Sequence, residues 1–128
     1  MTALLNISIP MEPVPKTRPR FAVDRNYKRE IRVYSDQGKA KDTFAWTVRC
    51  LAPHVRMQPK NVALAINLVF NTTSKSVDID NLVKFVLDAG NGFLWEDDRQ
   101  IEKLVARLNR VKQDPSVDIL LEREGESQ

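Results

Sequence analysis

Apolar and polar residues alternate along 3–9 (ALLNISI) as in a strand, and Pro10 stops the pattern. The most apolar run, 61–70 (NVALAINLVF), alternates through Val62, Leu64, Ile66 and Leu68 and predicts a central strand. Between these runs, Ala40, Phe44, Val48 and Leu51 recur at helical spacing, with Trp46 and Cys50 widening the face. Ser35 or Asp36 can cap that helix, which runs to about Ala52 before Pro53 ends it. A second helix over 81–89 carries Leu82, Val83, Phe85, Val86 and Ala89 on one broad face and breaks at Gly90-Asn91-Gly92. Residues 29–34 (REIRVY) predict a short strand that can pair with Phe21–Val23, and 117–121 (VDILL) a closing strand. The run 100–111 fits both periods. Ile101, Leu104, Val105 and Leu108 suit a helix, whereas Lys103, Val105, Arg107, Asn109 and Val111 follow strand alternation less cleanly.

Pro13, Pro15 and Pro19 force the stretch Pro13-Val14-Pro15-Lys16-Thr17-Arg18-Pro19-Arg20 into an extended arm laid over a surface, because each fixes its own φ and restricts the residue before it. With no repeats or internal linker, the 128 residues read as one domain spanning 1–128. No apolar run approaches the roughly 18–20 residues of a membrane span. The N-terminal segment has neither a basic n-region nor a small-residue cleavage site, so no secretory signal is expected. A lone cysteine, Cys50, cannot form an internal disulfide, and a reducing cytoplasm is the expected setting. The formal charge of +3 says less than its distribution. Lys16, Arg18, Arg20, Arg25, Lys28, Arg29 and Arg32 face only Asp24 and Glu30 between positions 16 and 32, a local +5, while the chain from Glu96 onward is net −3. Such a basic third can bind phosphates by releasing their counterions, and it can equally be a solvated loop.

Candidate chemistry lies in Val77-Asp78-Ile79-Asp80-Asn81-Leu82-Val83-Lys84 and in Trp95-Glu96-Asp97-Asp98. If 77–80 is still extended, Asp78 and Asp80 point to one side, and Val77 and Ile79 face the core. Lys84 then stands one helical turn above Asp80. Two carboxylates so close repel each other unless a positive group lies between them, and a hard dication such as Mg²⁺ suits oxygen donors of this kind. A third acid from the Trp95–Asp98 loop could complete the set. The competing reading makes Asp80 a helix cap, Asp78 a turn residue, and Lys84 the partner of Asp80 and Asp88 in ordinary helix-surface pairs. An EF-hand loop starting at Asp78 fails, because its sixth and twelfth positions hold Val83 and Ala89 in place of Gly and Glu. His54 is the only histidine and Cys50 has no cysteine partner, so neither a zinc site nor a Cys/His dyad is expected.

Taken together and in order, Pro13-Val14-Pro15-Lys16-x-Arg18-Pro19-Arg20, Asp78-x-Asp80-Asn81-Leu82-x-Lys84 and Leu87-Asp88-Ala89 through Trp95-Glu96-Asp97-Asp98-x-Gln100-Ile101 resemble the RusA family of Holliday-junction resolvases. The resemblance covers nearly the whole chain. It implies an α+β homodimer, with a mixed sheet of about four to five strands and two main helices packed on it. It implies Mg²⁺-dependent nicking of four-way DNA junctions, in a family commonly encoded by phages or prophages. The family's catalytic aspartates fall on Asp78, Asp80 and Asp98, also the metal ligands, and its catalytic lysine on Lys84. Asp97 is the alternative to Asp98, since one residue of loop length before Trp95 shifts the register. Lys16, Arg18, Arg20, Arg25, Lys28, Arg29 and Arg32 would hold the DNA backbone. Apolar residues on the 36–52 helix are candidates for the dimer surface. A DNA-binding module that keeps the fold without catalysis, or an unrelated interaction protein, are the alternatives; clustered acids beside phosphates argue against the first and the basic arm against the second.

Overall fold

Alternation along the fourth strand decides which side of the sheet is core: Leu64, Ile66, Leu68, Phe70 and Thr72 are buried, while Asn67 between them is exposed. The computed structural model that shows this describes residues 3–17, 20–24, 29–33 and 37–125, with 20–24 and 29–33 described by backbone alone. In chain order come β1 (Leu5–Ile9), β2 (Arg20–Asp24), β3 (Arg29–Val33), α1 (Gln37–Leu51), β4 (Leu64–Thr72), α2 (Ile79–Gly90), a single 3-10 turn (Asp98–Gln100), β5 (Ile101–Arg110) and β6 (Ser116–Arg123). Four strands form one sheet in the order β1-β6-β4-β5, and β2 and β3 form a separate antiparallel hairpin. β4 and β5 are parallel, joined through α2, and β6 runs antiparallel to both of its neighbours, so the sheet is mixed and the fold is α+β.

Both helices supply the other half of the core. Phe44 and Val48 of α1 and Leu82, Phe85, Val86 and Ala89 of α2 are buried with the inward residues of the sheet, and Phe44 meets Phe85 edge to face at 6.1 Å. The opposite face of the sheet is polar and bonded across all four strands. Arg107 donates to Asn109 (3.2 Å), Asn109 to Asn71 (3.0 Å) and Asn71 to Ser116 (2.9 Å), while Ser8 donates to Asp118 (2.6 Å).

Several expectations from periodicity change in the folded chain. Within the ambiguous run 100–111, Ile101–Arg110 is strand, because β4 offers it a parallel partner along its length. The strand expected to close the sheet, β6, lies inside it, between β1 and β4. The apolar face of α1 is narrower than its pattern: Trp46 is 70% exposed, Leu51 46%, and Cys50 is exposed. α1 packs on β1 and α2 through the stripe that carries Phe44 and Val48. The expected cap at Ser35 or Asp36 lies outside the described residues.

Candidate active site

α2 starts earlier than its apolar pattern indicates, and this changes the geometry of the paired acids. Asp78 is the N-cap residue, extended at φ −97° and ψ 143°, and Ile79 and Asp80 are already helical. The two carboxylates therefore belong to a helix N-terminus and not to one side of a strand. Ile79 is 37% exposed and does not face the core, although Val77 packs against it. Asp78 occupies the cap position without making a side-chain capping bond, so its carboxylate is uncommitted among the described residues. Asp80 lies in the first turn, with the Lys84 ammonium at 3.7 Å, and both side chains are more than half exposed. Lys84 does not pair with Asp88, which is held instead by Lys41 and, at 3.8 Å, by Lys16. The partial positive charge of the helix N-terminus stabilises two acids placed there.

Three residues that periodicity did not single out hold the two acidic loops in place, two of them the loop ahead of Asp78. Arg110, at the C-terminal end of β5, donates to the carbonyls of Ser74 (2.9 Å) and Val77 (3.0 Å), directly ahead of Asp78. Glu12 accepts from the Thr72 hydroxyl (2.6 Å), the Thr73 hydroxyl and the Thr73 backbone N–H (3.1 Å), which latches the proline-rich arm to the end of β4. Burial pushes the Glu12 carboxyl up, but these hydrogen bonds outweigh it and hold the group below the ordinary glutamate value. Further along the arm, the Lys16 backbone N–H donates to the Asn81 carbonyl at 2.9 Å, and the Gln37 amide donates to the Pro15 carbonyl at 3.2 Å. A cleft of about 490 Å³ runs between arm and helix, lined by Lys16, Thr17, Ser74, Ser76, Asp78 and Asn81 among others. Of the basic residues assigned to DNA, Lys16 stands exposed on this cleft, and Arg20, Arg29 and Arg32 lie on the β2–β3 hairpin. Arg18, Arg25 and Lys28 lie outside the described residues.

The third of those residues, Gln100, holds the other acidic loop, and there Asp97 and Asp98 have different jobs. Asp97 caps the 3-10 turn: its carboxylate accepts from the Arg99 backbone N–H at 3.0 Å. Gln100 completes a capping box, its Oε1 accepting from the N–H groups of Asp97 (3.0 Å) and Glu96 (2.9 Å). Its buried amide also donates to the carbonyls of Pro59 (2.7 Å) and Val62 (3.0 Å). Chiefly because of the Arg99 N–H, the Asp97 carboxyl titrates below the usual aspartate range; slight desolvation opposes this, and the Arg99 charge, the Asp98 carboxyl and Lys60 add to it. The spacing Asp97-x-x-Gln100 is a signal legible in the sequence, whereas nothing there marks Glu12 or Arg110. Trp95 backs the loop, fully buried, its indole N–H donating to Asn91 at 2.9 Å and its ring filling the space a Cβ on Gly90 would need.

Within one chain, Asp98 stands apart from Asp78 and Asp80. Because β4 and β5 are parallel and in register from Leu64↔Ile101 to Thr72↔Arg110, Asp98 precedes the start of β5 while Asp78 follows the end of β4. The twelve residues of α2, roughly 18 Å of helix, run between the two ends. Accordingly, no group of three His, Cys, Asp or Glu side chains converges as a metal site among the described residues.

Residues 10–122 match the family model for endodeoxyribonuclease RusA, which covers both acidic loops, the arm and Lys84. The chain belongs to the RusA endodeoxyribonuclease family. Membership makes it a DNA endonuclease by descent and places the junction-cutting chemistry of RusA proteins among the activities to be tested. No curated protein matches the chain individually. No helix among the described residues is long and apolar enough to cross a membrane.

Proposed function

We propose that this chain is a metal-dependent, structure-selective endodeoxyribonuclease that resolves four-way (Holliday) DNA junctions by paired symmetric nicks, working as a homodimer in the cytoplasm of a bacterial or phage-infected cell. The observation that carries the site assignment is the Asp78 carboxylate, which sits at a helix N-cap with no capping bond, next to Asp80 and at the mouth of a cleft walled by the basic arm. An acid that stabilised only the helix would use the cap.

Asp78 and Asp80 are exposed oxygen donors, and a hard dication that binds through one or two carboxylates and keeps several waters fits them. Bound there, Mg²⁺ would supply Lewis acidity toward a phosphodiester and a more acidic water. The rest falls to the protein's own side chains. Lys84 restrains Asp80 through their ion pair and sets a positive charge where negative charge develops on the phosphate. Arg110 fixes the backbone ahead of Asp78. Lys16, Arg18, Arg20, Arg25, Lys28, Arg29 and Arg32 hold the sugar–phosphate backbone, reading shape more than base edges. Asp98, kept clear of cap duty by Asp97, is the third carboxylate. Since one chain holds it at the far end of the sheet, it acts on the Asp78–Asp80 pair of a second copy, and a two-fold dimer then presents two equivalent sites to a four-way substrate.

A synthetic four-way junction and a linear duplex, each incubated with Mg²⁺ or EDTA, test this reading. Symmetric nicks are expected in the junction and only with the metal; tight binding without cleavage would identify a DNA-binding module that has kept the fold. Asp80→Asn is expected to lose cleavage while keeping or strengthening binding. Mixing inactive Asp80→Asn and Asp98→Asn proteins should restore nicking, because a mixed dimer with shared sites carries both lesions in one site and leaves the other intact. If each site drew all its acids from one chain, the mixture would stay inactive.

A further inference from the structure

Asp88, in the motif Leu87-Asp88-Ala89, has no part in the chemistry assigned above, yet two lysines from distant parts of the chain converge on it. Lys41 of α1 pairs with its Oδ2, and the Lys16 ammonium of the arm stands 3.8 Å from its Oδ1. One carboxylate balances one ammonium, so the trio keeps an excess positive charge. Holding two cations on one acid sets them against each other, and a second anion would remove that repulsion. Access is open, since the Lys16 and Lys41 side chains are 45% and 36% exposed. Exposed pairs of this kind contribute little to stability, so holding three elements together is a poor account of the trio.

The backbone beneath both lysines is fixed before any ligand arrives. The Lys16 N–H donates to the Asn81 carbonyl at 2.9 Å. Gln37, in the first turn of α1, donates to the Pro15 carbonyl at 3.2 Å and accepts from the Thr17 N–H at 3.4 Å. Arm and helix therefore present their two ammonium groups together, with little left to order on binding.

Position along α2 relates this trio to the acids of the cleft. Asp80, Lys84 and Asp88 recur every fourth residue and form one stripe down the helix. From Lys84 to Asp88 the helix rises about 6 Å. Phosphates of one DNA strand advance by about 3.4 Å along the duplex axis. We propose that Lys41 and Lys16, gathered by Asp88, bind a second phosphate of the strand being cut, about two nucleotides from the phosphate that Lys84 serves. Asp88 is then a positioning residue, and Lys41 joins the DNA interface from a helix outside the basic arm. The proposal rests on the nuclease reading above and adds a phosphate site to it.

Four-way junctions carrying a single uncharged methylphosphonate, moved one position at a time along a strand through the crossover, locate this contact in binding assays without divalent metal. Wild-type protein should lose about fivefold in affinity at a position about two nucleotides from the cut. K41Q, already lacking the contact, should lose nothing further there. Its slope of log K against log salt should also fall by about one, and K41R should restore both readouts. K39Q, two positions back and so on the other side of α1, should keep the wild-type slope. D88N keeps both lysine charges without gathering them, so it should lose the position-specific effect while binding linear duplex no more weakly than wild type. Circular dichroism and melting curves of each variant should match wild type closely enough to exclude misfolding. If K41Q responds to methylphosphonates as wild type does at every position, or K39Q lowers the slope as much as K41Q, the phosphate site is overturned. A wild type that shows the coupling but never nicks would leave the phosphate site standing and remove the nuclease reading. One that binds no junction at all overturns both.

Discussion

Gln100 bonds to more backbone than any other side chain near the acidic loops. Its amide oxygen takes two N–H groups and its nitrogen two carbonyls, all from segments with no regular structure of their own. Removing it leaves those buried groups without partners, so Gln100→Ala is expected to cost about 3 kcal/mol in urea unfolding and to weaken cleavage more than junction binding. Neighbouring acids divide their work in the same local way. Asp97 spends its carboxylate on the turn, which is the physical reason to prefer Asp98 as the reactive third acid. At the other loop the bland alternative of a simple cap is not realised: Asp80 is too far into the helix to cap it, and Asp78 is in position but makes no bond.

The arm, β4 and α2 act as one structural unit. Glu12 ties the arm to the last residues of β4, and the Lys16 N–H ties it to the first turn of α2, so the proline-rich segment cannot swing freely past Asp78. The pH dependence of that latch has a definite sign. Glu12 is held below its ordinary value, so its contribution is complete above that value and is lost as pH falls through it toward the lower folded value. Glu12→Ala should therefore lower Tm at neutral pH, by an amount corresponding to about 2 kcal/mol. The gap from wild type should shrink steadily in melts below about pH 4.5. A gap that stayed constant with pH would assign the effect to packing.

At the scale of the whole molecule, the start of the basic arm and the Asp78–Asp80 pair lie at one end of the sheet. The arm leaves β1, passes the C-terminal end of β4 and borders the cleft that holds Asp78, while the net negative C-terminal third builds β5 and β6. Junction binding should weaken steeply with added salt. Replacing Arg18 and Arg20 together by alanine should reduce the slope of log K against log salt by about two, without changing which DNA shape is preferred. A slope unaffected by this change would remove those residues from the DNA interface.

What the sequence determined by itself were features set by neighbours along the chain. Period and breakers named both helices and most strands, and the motifs around Asp78, Lys84 and Asp98 pointed to the RusA family. Tertiary structure decided whatever depends on a partner distant in sequence. Residues 101–110 are strand because β4 lies beside them, and Trp46 is exposed because no described residue covers it. The last strand lies inside the sheet because β1 covers its far side. Glu12, Arg110 and Gln100 acquire their roles only once residues 36 to 60 positions away are brought to them. The same reason governs the acids. Spacing placed Asp78 and Asp80 together, but the parallel β4–β5 pairing sent Asp98 to the opposite end of the sheet, a separation that no local pattern encodes.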